Sequence, residues 1–560
     1  MTTFNRRSVL LAGLGAAGSG LLAACSTDTG GSAAAHGSGP TLVSPSGAAV
    51  AATEKKRHHS GRERRFRLTA TAGTVDLGGG KTVRTWSFDG RLPGRELRLT
   101  AGDTLVAELA NHLPQSTSVH WHGLALRNDM DGVPPVTQRA VAPGGAFTYR
   151  FVTDTPGTYW FHPHVGVQLD RGLYGPLIVE DPHEPLRYDD EWVVVLDDWL
   201  DGVTGTPDQA LAALRRGMDH GSAPHDGKGG SHGGTGGMDG MSSMGGMDGM
   251  GDMSGTGGTQ GADSMPGMQG MQGMQEMPGM DDPFMLMGAT STLLGGDAGD
   301  VKYPHYLING RVPAAPATYQ GKPGRTLRLR IINAGGDTAF RVALGGHRLT
   351  VTHTDGCPIV HEPADALLIG PGERYDALVT LGDGVFPLVA LAEGKGAAGL
   401  ALVRTGSGRA PSASVRPAEL NGRIPVATAL RAAEGVRLKA RQPDVTHRIE
   451  LTGGMAKYDW ALNGRRFDMN DAAAHPFTVG SGQRVRLQFV NATGMWHPMH
   501  LHGHTPQLGA TGPRKDTVIV LPGSTATCDF DADNPGRWLI HCHNAYHGES
   551  GMMGLLGYDA

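Results

Sequence analysis

The sequence predicts an all-β protein made of three copies of one β-sandwich module. Runs at 96–100, 104–109, 147–151, 326–332 and 484–490 largely alternate polar with apolar residues, the period of a half-buried strand. Gly, Pro, Asn or Asp lie close to their ends, as short sandwich strands require. Ala110-Asn111, Ile332-Asn333-Ala334 and Val490-Asn491-Ala492 each close such a run after a glycine-containing turn. Three echoes argue for three copies. Length agrees, since 560 residues exceed what one hydrophobic core organises.

The N-terminus reads as an address. Asn5-Arg6-Arg7-Ser8-Val9-Leu10-Leu11 has the form of a twin-arginine signal. The Gly/Ala-rich stretch that follows, to Ala24, is too short and too weakly apolar to span a membrane, which takes about 20 residues. Leu22-Ala23-Ala24-Cys25 resembles a lipobox, so residues 1–25 are expected to be a lipoprotein signal cleaved before a lipid-bearing Cys25. The expected location is the outer face of a bacterial cytoplasmic membrane. Residues 26–65, rich in Ser, Gly, Ala, Lys and Arg, read as a flexible tether. The three modules then occupy 66–183, 190–405 and 430–560.

The middle module carries an interruption. Residues 207–216 look like a short surface helix. From 218 to 287 the chain is largely Gly, Met, Asp and Ser, with Met238-Asp239-Gly240-Met241 and Met277-Pro278-Gly279-Met280 among its repeats. It has few core-forming residues and is expected to be a disordered surface insert.

The chemistry is concentrated in four histidine clusters. They are His120-Trp121-His122, His162-Pro163-His164, His497-Pro498-Met499-His500-Leu501-His502 and His541-Cys542-His543. In an extended chain, side chains two apart share a face and neighbours oppose. Four same-face pairs result, and Cys542 and His497 point the other way. Two metal loci follow. Eight imidazoles meet at one. His497, Cys542, His547 and Met552 form the other, with four residues between Cys542 and His547 and again between His547 and Met552. A thiolate, two imidazoles and a weak thioether are a blue-copper electron-transfer set. His541 and His543 adjoin Cys542, which gives a through-bond electron route between the loci. Pro163 and Pro498 suggest sheet edges or irregular strand ends.

These segments resemble the four copper motifs of the three-domain multicopper oxidases, a family that includes laccases, ascorbate oxidases and bacterial copper-tolerance oxidases. The resemblance runs from the first module to the C-terminus. It implies cupredoxin-like Greek-key domains and four copper ions. Type 1 copper would lie at His497, Cys542, His547 and Met552, and type 2 copper on His120 and His500. The type 3 pair would use His122, His162 and His543 on one ion and His164, His502 and His541 on the other. The implied reaction takes electrons singly at type 1 and reduces O2 to water at the trinuclear cluster. Asp131 matches the family acid near type 2 copper. Glu549 stands one place beyond the position after the type 1 histidine where a second acid is often found. Both are candidate proton-handling residues.

The thioether axial ligand, the lipoprotein signal and the Met-rich insert are similar to the copper-tolerance members, lipoprotein oxidases of mycobacteria among them. That similarity implies Cu(I) as substrate, with Fe(II) and phenols as further reductants. Thioethers select soft Cu(I), so the insert reads as a copper collector. Met495 matches a residue that helps bind substrate copper, whereas Thr493 departs from an acid found nearby in enterobacterial relatives. A general laccase, a non-enzymatic copper sequestrant and a copper nitrite reductase are the competing classes. The full octet of histidines opposes the last two. Net charge is -5, with no nucleic-acid footprint, and a monomer is expected. Whether Cys357 and Cys528 pair is open at this level.

Overall fold

The computed structural model describes residues 41–217 and 282–560. The signal, Cys25 and residues 218–281 of the Met-rich tract lie outside the described residues.

The alternating runs form strands as expected, at Leu97–Thr100, Asp103–His112, Ala146–Thr153, Thr326–Asn333 and Arg484–Asn491. Two four-stranded sheets come from 63–180, a six- and a five-stranded sheet from 190–404, and two five-stranded sheets from 445–558. Each stretch repeats one unusual pairing. Its first long strand runs parallel to the strand that carries the echoed asparagine at or next to its end: Glu63–Gly78 with Asp103–His112, Asp190–Trp199 with Thr326–Asn333, and Val445–Thr452 with Arg484–Asn491. Parallel neighbours need a crossover through other strands, so the sheets of each stretch are interlocked.

The echoed asparagines do the same work three times. Asn111 Nδ2 donates to the carbonyls of Gln115 and Val141, and Oδ1 accepts from the Leu113 amide. Asn333 bonds Thr338, Ile369 and Gly335 in the same way. Asn491 bonds Met495, Val520 and Thr493. A buried side-chain amide satisfies backbone groups where the chain leaves one sheet for the next, which is why Asn recurs there.

Of the segment expected to be a tether, residues 41–65 are described and ordered. They form the helix Ala48–Lys56 and enter the sheet at Glu63. Val50 and Leu42 are buried, the Val43 amide donates to the Tyr558 carbonyl, and Arg57 pairs with Glu54 and Asp154. Two apolar anchors outweigh a composition that reads as linker. Pro163 does lie past the strand Gly157–His162, but Pro498 is in an interior strand. His497–Leu501 runs between Thr517–Val520 and Arg537–Cys542. Pro498 is tolerated at its second residue because it still accepts through its carbonyl, from the His543 amide. The helix before the Met-rich tract is Pro207–Arg215, closed at its start by a Thr206/Gln209 capping box.

Candidate metal centres

Strand register brings the histidines together. His120 pairs with His162 across one antiparallel ladder, and His500 with His541 across another. The first ladder belongs to the stretch 63–180 and the second to 445–558, so the eight imidazoles meet between two sandwiches. His120 stacks on His502, and His122 on His500, each at 3.9 Å between ring centres.

Second nitrogens are tied outward. His162 Nδ1 lies 2.9 Å from the Pro163 carbonyl, His500 Nδ1 2.9 Å from that of Asp516, and His541 Nδ1 2.9 Å from that of Cys542. His120 Nδ1 meets the Asp131 carbonyl at 2.9 Å, and His502 Nδ1 the Asp131 carboxylate at 3.0 Å. The inward nitrogens are left over. His120 Nε2, His122 Nδ1, His162 Nε2, His500 Nε2 and both nitrogens of His543 are buried without a hydrogen-bond partner. His541 Nε2 faces His502 Nε2 at 3.1 Å and His164 Nε2 at 3.5 Å. Orphaned, convergent imidazole nitrogens are what a buried metal cluster requires and what a protein core otherwise avoids. Burial first, then repulsion among the rings, holds His122, His162, His164, His502 and His543 well below the usual imidazole range and His541 at about 3. They are therefore neutral, the form that binds metal.

The second locus forms on the opposite face of the same strands. His497 Nδ1 and His547 Nδ1 are 3.0 Å apart, and Cys542 Sγ is 3.6 Å from each. Their outer nitrogens are also fixed: His497 Nε2 lies 2.8 Å from Thr493 Oγ1, and His547 Nε2 2.8 Å from Asp300 Oδ2. Burial disfavours a charged His547, but Asp300 and Cys542 outweigh it and push that ring up to about 10. Met552 is fully buried, and its backbone bonds those of Cys542 and His547. Trp460 packs on both rings, at 5.2 and 4.3 Å. A small triangle of two imidazoles and a thiol, with buried Met552 tied by its backbone to Cys542 and His547, fits the trigonal blue-copper donor set.

The remaining expected residues divide. Asp131 is fully buried and its carboxylate touches the outer nitrogens of His502 and His120, the latter at 3.1 Å. Glu549 lines a cavity of about 40 Å³ with His162, His164, His541 and His543, and burial raises its carboxyl. Met495 is buried, 4 % exposed. Among the described residues Cys357 and Cys528 are unpaired.

Sequence reasoning missed Asp516 and Asp300. Asp516 receives both guanidinium arms of Arg374, at 2.7 and 2.6 Å, and lies 3.1 Å from His122 Nε2. Burial alone would raise this carboxyl, but the Arg374 charge and the histidine hydrogen bonds hold it well below the usual range. It is an anion against His122 and His500, whereas Asp131 lies against His120 and His502. Nothing local in Arg514-Lys515-Asp516-Thr517 marks it. Asp300 lies 247 residues before His547. The middle sandwich also comes close with Gly372. Its φ is +86°, and a Cβ there would lie 2.9 Å from the His543 ring, so glycine permits the approach.

Three multicopper oxidase family models match residues 69–184, 287–407 and 440–559. The chain is 45% identical to multicopper oxidase MmcO of Mycobacterium tuberculosis, over 99% of this chain and 97% of that protein. The chain belongs to the multicopper oxidases. It is thus an oxidoreductase with oxygen as acceptor, and copper is its cofactor. The oxidase is also 29% identical to a copper resistance protein A homolog of Pseudomonas syringae pv. tomato, covering 87% of this chain and 91% of the relative. Its fold matches a multicopper oxidase from Pseudomonas thermotolerans (TM-score 0.60, 24% identity, 89% of this chain and 99% of that one). It also matches a Botrytis aclada laccase (TM-score 0.65, 23% identity, 90% and 89%). The cupredoxin-like β architecture of the oxidase is therefore that of the family.

Proposed function

We propose that this oxidase oxidises Cu(I) at a type 1 centre and serves copper tolerance at the outer face of a bacterial membrane. His497, Cys542, His547 and Met552 are the type 1 ligands, His120 and His500 the type 2 ligands. His122, His162 and His543, and His164, His502 and His541, hold the type 3 pair. Four bound copper ions supply one-electron acceptance at the first centre and four-electron reduction of O2 to water at the other three.

The single observation behind the two-centre reading is the geometry around Cys542. Its sulfur faces one locus while its neighbours His541 and His543 face the other, so two covalent paths link them. Burial keeps water from the sulfur. Asp131 holds a proton position at His502 Nδ1, and Glu549 a second at the small cavity. Either can supply protons to reduced oxygen.

Cu(I) as reductant is supported by the thioethers of 218–287 and by where the chain leaves and re-enters the described fold. Arg216 reaches Asp282 at 3.5 Å, and the Gly217 backbone abuts Ala456, two residues before Tyr458, whose hydroxyl donates to Asp300 behind His547. Related proteins named for copper resistance point the same way. Membrane attachment rests on the lipobox at Cys25.

Oxygen uptake with Cu(I), Fe(II) and a phenol, on one purified sample, tests the substrate. Cu(I) should give the highest kcat/KM at buffered low copper. Deletion of 218–281, which leaves Phe284 and Met285 packed on the core, should raise the apparent KM for Cu(I) several-fold and spare phenol oxidation. Equal Cu(I) kinetics in both proteins, with a phenol preferred, would replace this reading with a general laccase.

A further inference from the structure

The middle sandwich contributes none of the twelve proposed copper ligands, yet it grips the loop that carries one of them from two directions. Asp337 is the point of contact. Its Oδ1 accepts from Asn544 Nδ2 at 2.7 Å and from the Asp300 amide at 3.1 Å. Its Oδ2 accepts from Lys395 Nζ at 2.5 Å and the Val301 amide at 3.4 Å. Asn544 caps the helix Ala545–Glu549, its Oδ1 accepting from the amides of Tyr546 and His547. Asp300, held by the same carboxylate through its backbone, receives His547 Nε2. Asp337 thus fixes both the backbone start of the His547 helix and the partner of the His547 ring.

We infer that Asp337, anchored by Lys395, is the positioning residue of the type 1 site, setting the place and ring angle of His547 from the middle sandwich. The inference rests on His547 being a type 1 ligand.

The physical case has three parts. Asp337 and Lys395 are almost wholly buried, with side chains 0% and 1% exposed, so their pairing is unscreened by solvent. Lys395 also donates to Thr338 Oγ1 at 2.8 Å, which stops it from swinging away. The Gly336 carbonyl, one residue back, accepts from the Ala545 amide at 2.8 Å, so the same turn holds the helix a third time. Three contacts thus run from the middle sandwich to one ligand loop: Asp337 to Asn544, Gly336 to Ala545 and Asp300 to His547. Outer partners of a metal ligand set its orientation and, through it, the properties of the metal.

The test separates positioning from folding. Asp337→Asn with Lys395→Met removes both charges of the buried pair and leaves Asp198 held by the Gly336, Asp337 and Thr338 amides. Asn544→Ser keeps a capping oxygen but loses the Nδ2 donor. Both should fold with native β content and an unchanged type 2 electron paramagnetic resonance signal. Both should shift the blue absorption band and the type 1 hyperfine splitting, and change the type 1 reduction equilibrium about tenfold, or about 59 mV for one electron. In the copper-free proteins the Tyr546 and His547 amides should exchange hydrogen faster than in wild type. Lys395→Arg, which keeps the charge, should restore the wild-type signature. Leu388→Ala, a core change elsewhere in the middle sandwich, should lower Tm without moving it.

If the double variant does not fold, Asn544→Ser and Lys395→Met alone carry the test. Unchanged spectra, potential and exchange in the folded variants would overturn the inference. Loss of the underlying reading would look different: the blue band would survive Cys542→Ser.

Discussion

Asp131 illustrates how much a single buried residue can hold. Its carbonyl and carboxylate engage the outer nitrogens of two histidines, so it both orients them and is one hydrogen bond from the cluster proposed to reduce oxygen. Asp131→Asn keeps the shape and removes the acid. Reduction of type 1 copper by substrate should stay fast in stopped flow, whereas reoxidation by O2 should slow by about 10²-fold. Normal reoxidation would remove Asp131 as an obligatory relay. His353 makes a different point, about pH. Burial, with Arg328 and Arg330 nearby, outweighs the attraction of Asp376 and lowers this ring to about 4, against about 6.5 in the unfolded chain. The unfolded state therefore binds a proton first as pH falls. Stability is fully present above pH ~6.5 and is lost between there and about 4. The loss is at most about 3.4 kcal/mol. His353→Gln should flatten that part of a stability-against-pH curve. An unchanged slope would mean that other groups set it.

At the scale of elements, short helices sit where ligand loops need fixed ends. Pro207–Arg215 buries Ala210, Leu211 and Leu214, and Arg215 donates to the Glu549 carbonyl. The helix therefore links the start of the Met-rich tract to the loop behind His547. Thr206→Ala breaks the capping box and should cost about 1 kcal/mol locally. The expected readout is faster amide exchange across 206–216 with the blue band intact. A lost blue band would make this helix part of the type 1 support. The element-level record also shows what pattern reading can miss. Strands with clean alternation were legible because polarity period and burial coincide. The helix Ala48–Lys56 was hidden because only Val50 of its nine residues is buried, and the rest reads as linker.

Across the whole molecule, the eight convergent histidines are split between stretches 63–180 and 445–558, so copper bound among them would tie two sandwiches together. Copper should then act as a ligand of the folded state alone. Its removal by a chelator at low potential should lower Tm, by the equivalent of about 4 kcal/mol if free copper had been 1,000 times Kd. Reloading with Cu(I) should restore it. The apo-protein should lose cooperativity as well, with the two sandwiches melting separately. A single unchanged transition would show that protein contacts alone join them. The N-terminal clamp contributes to the same assembly, since Leu42 bridges to Asp559 and Arg57 reaches Asn534 Oδ1 at 3.0 Å.

The sequence by itself determined the module, its number and the donor set. Strand parity put Cys542 opposite its flanking histidines, and local spacing supplied His547 and Met552. Such information is local, because a two-residue period survives in any extended chain. Tertiary structure decided everything that joins distant segments: Asp516 against His122, Asp300 behind His547, Asp337 beneath Asn544, and Gly372 against His543. These residues come from strands and turns with no motif of their own. Their roles follow from burial, which makes an unpaired charge costly and so forces a carboxylate to find a partner across domains.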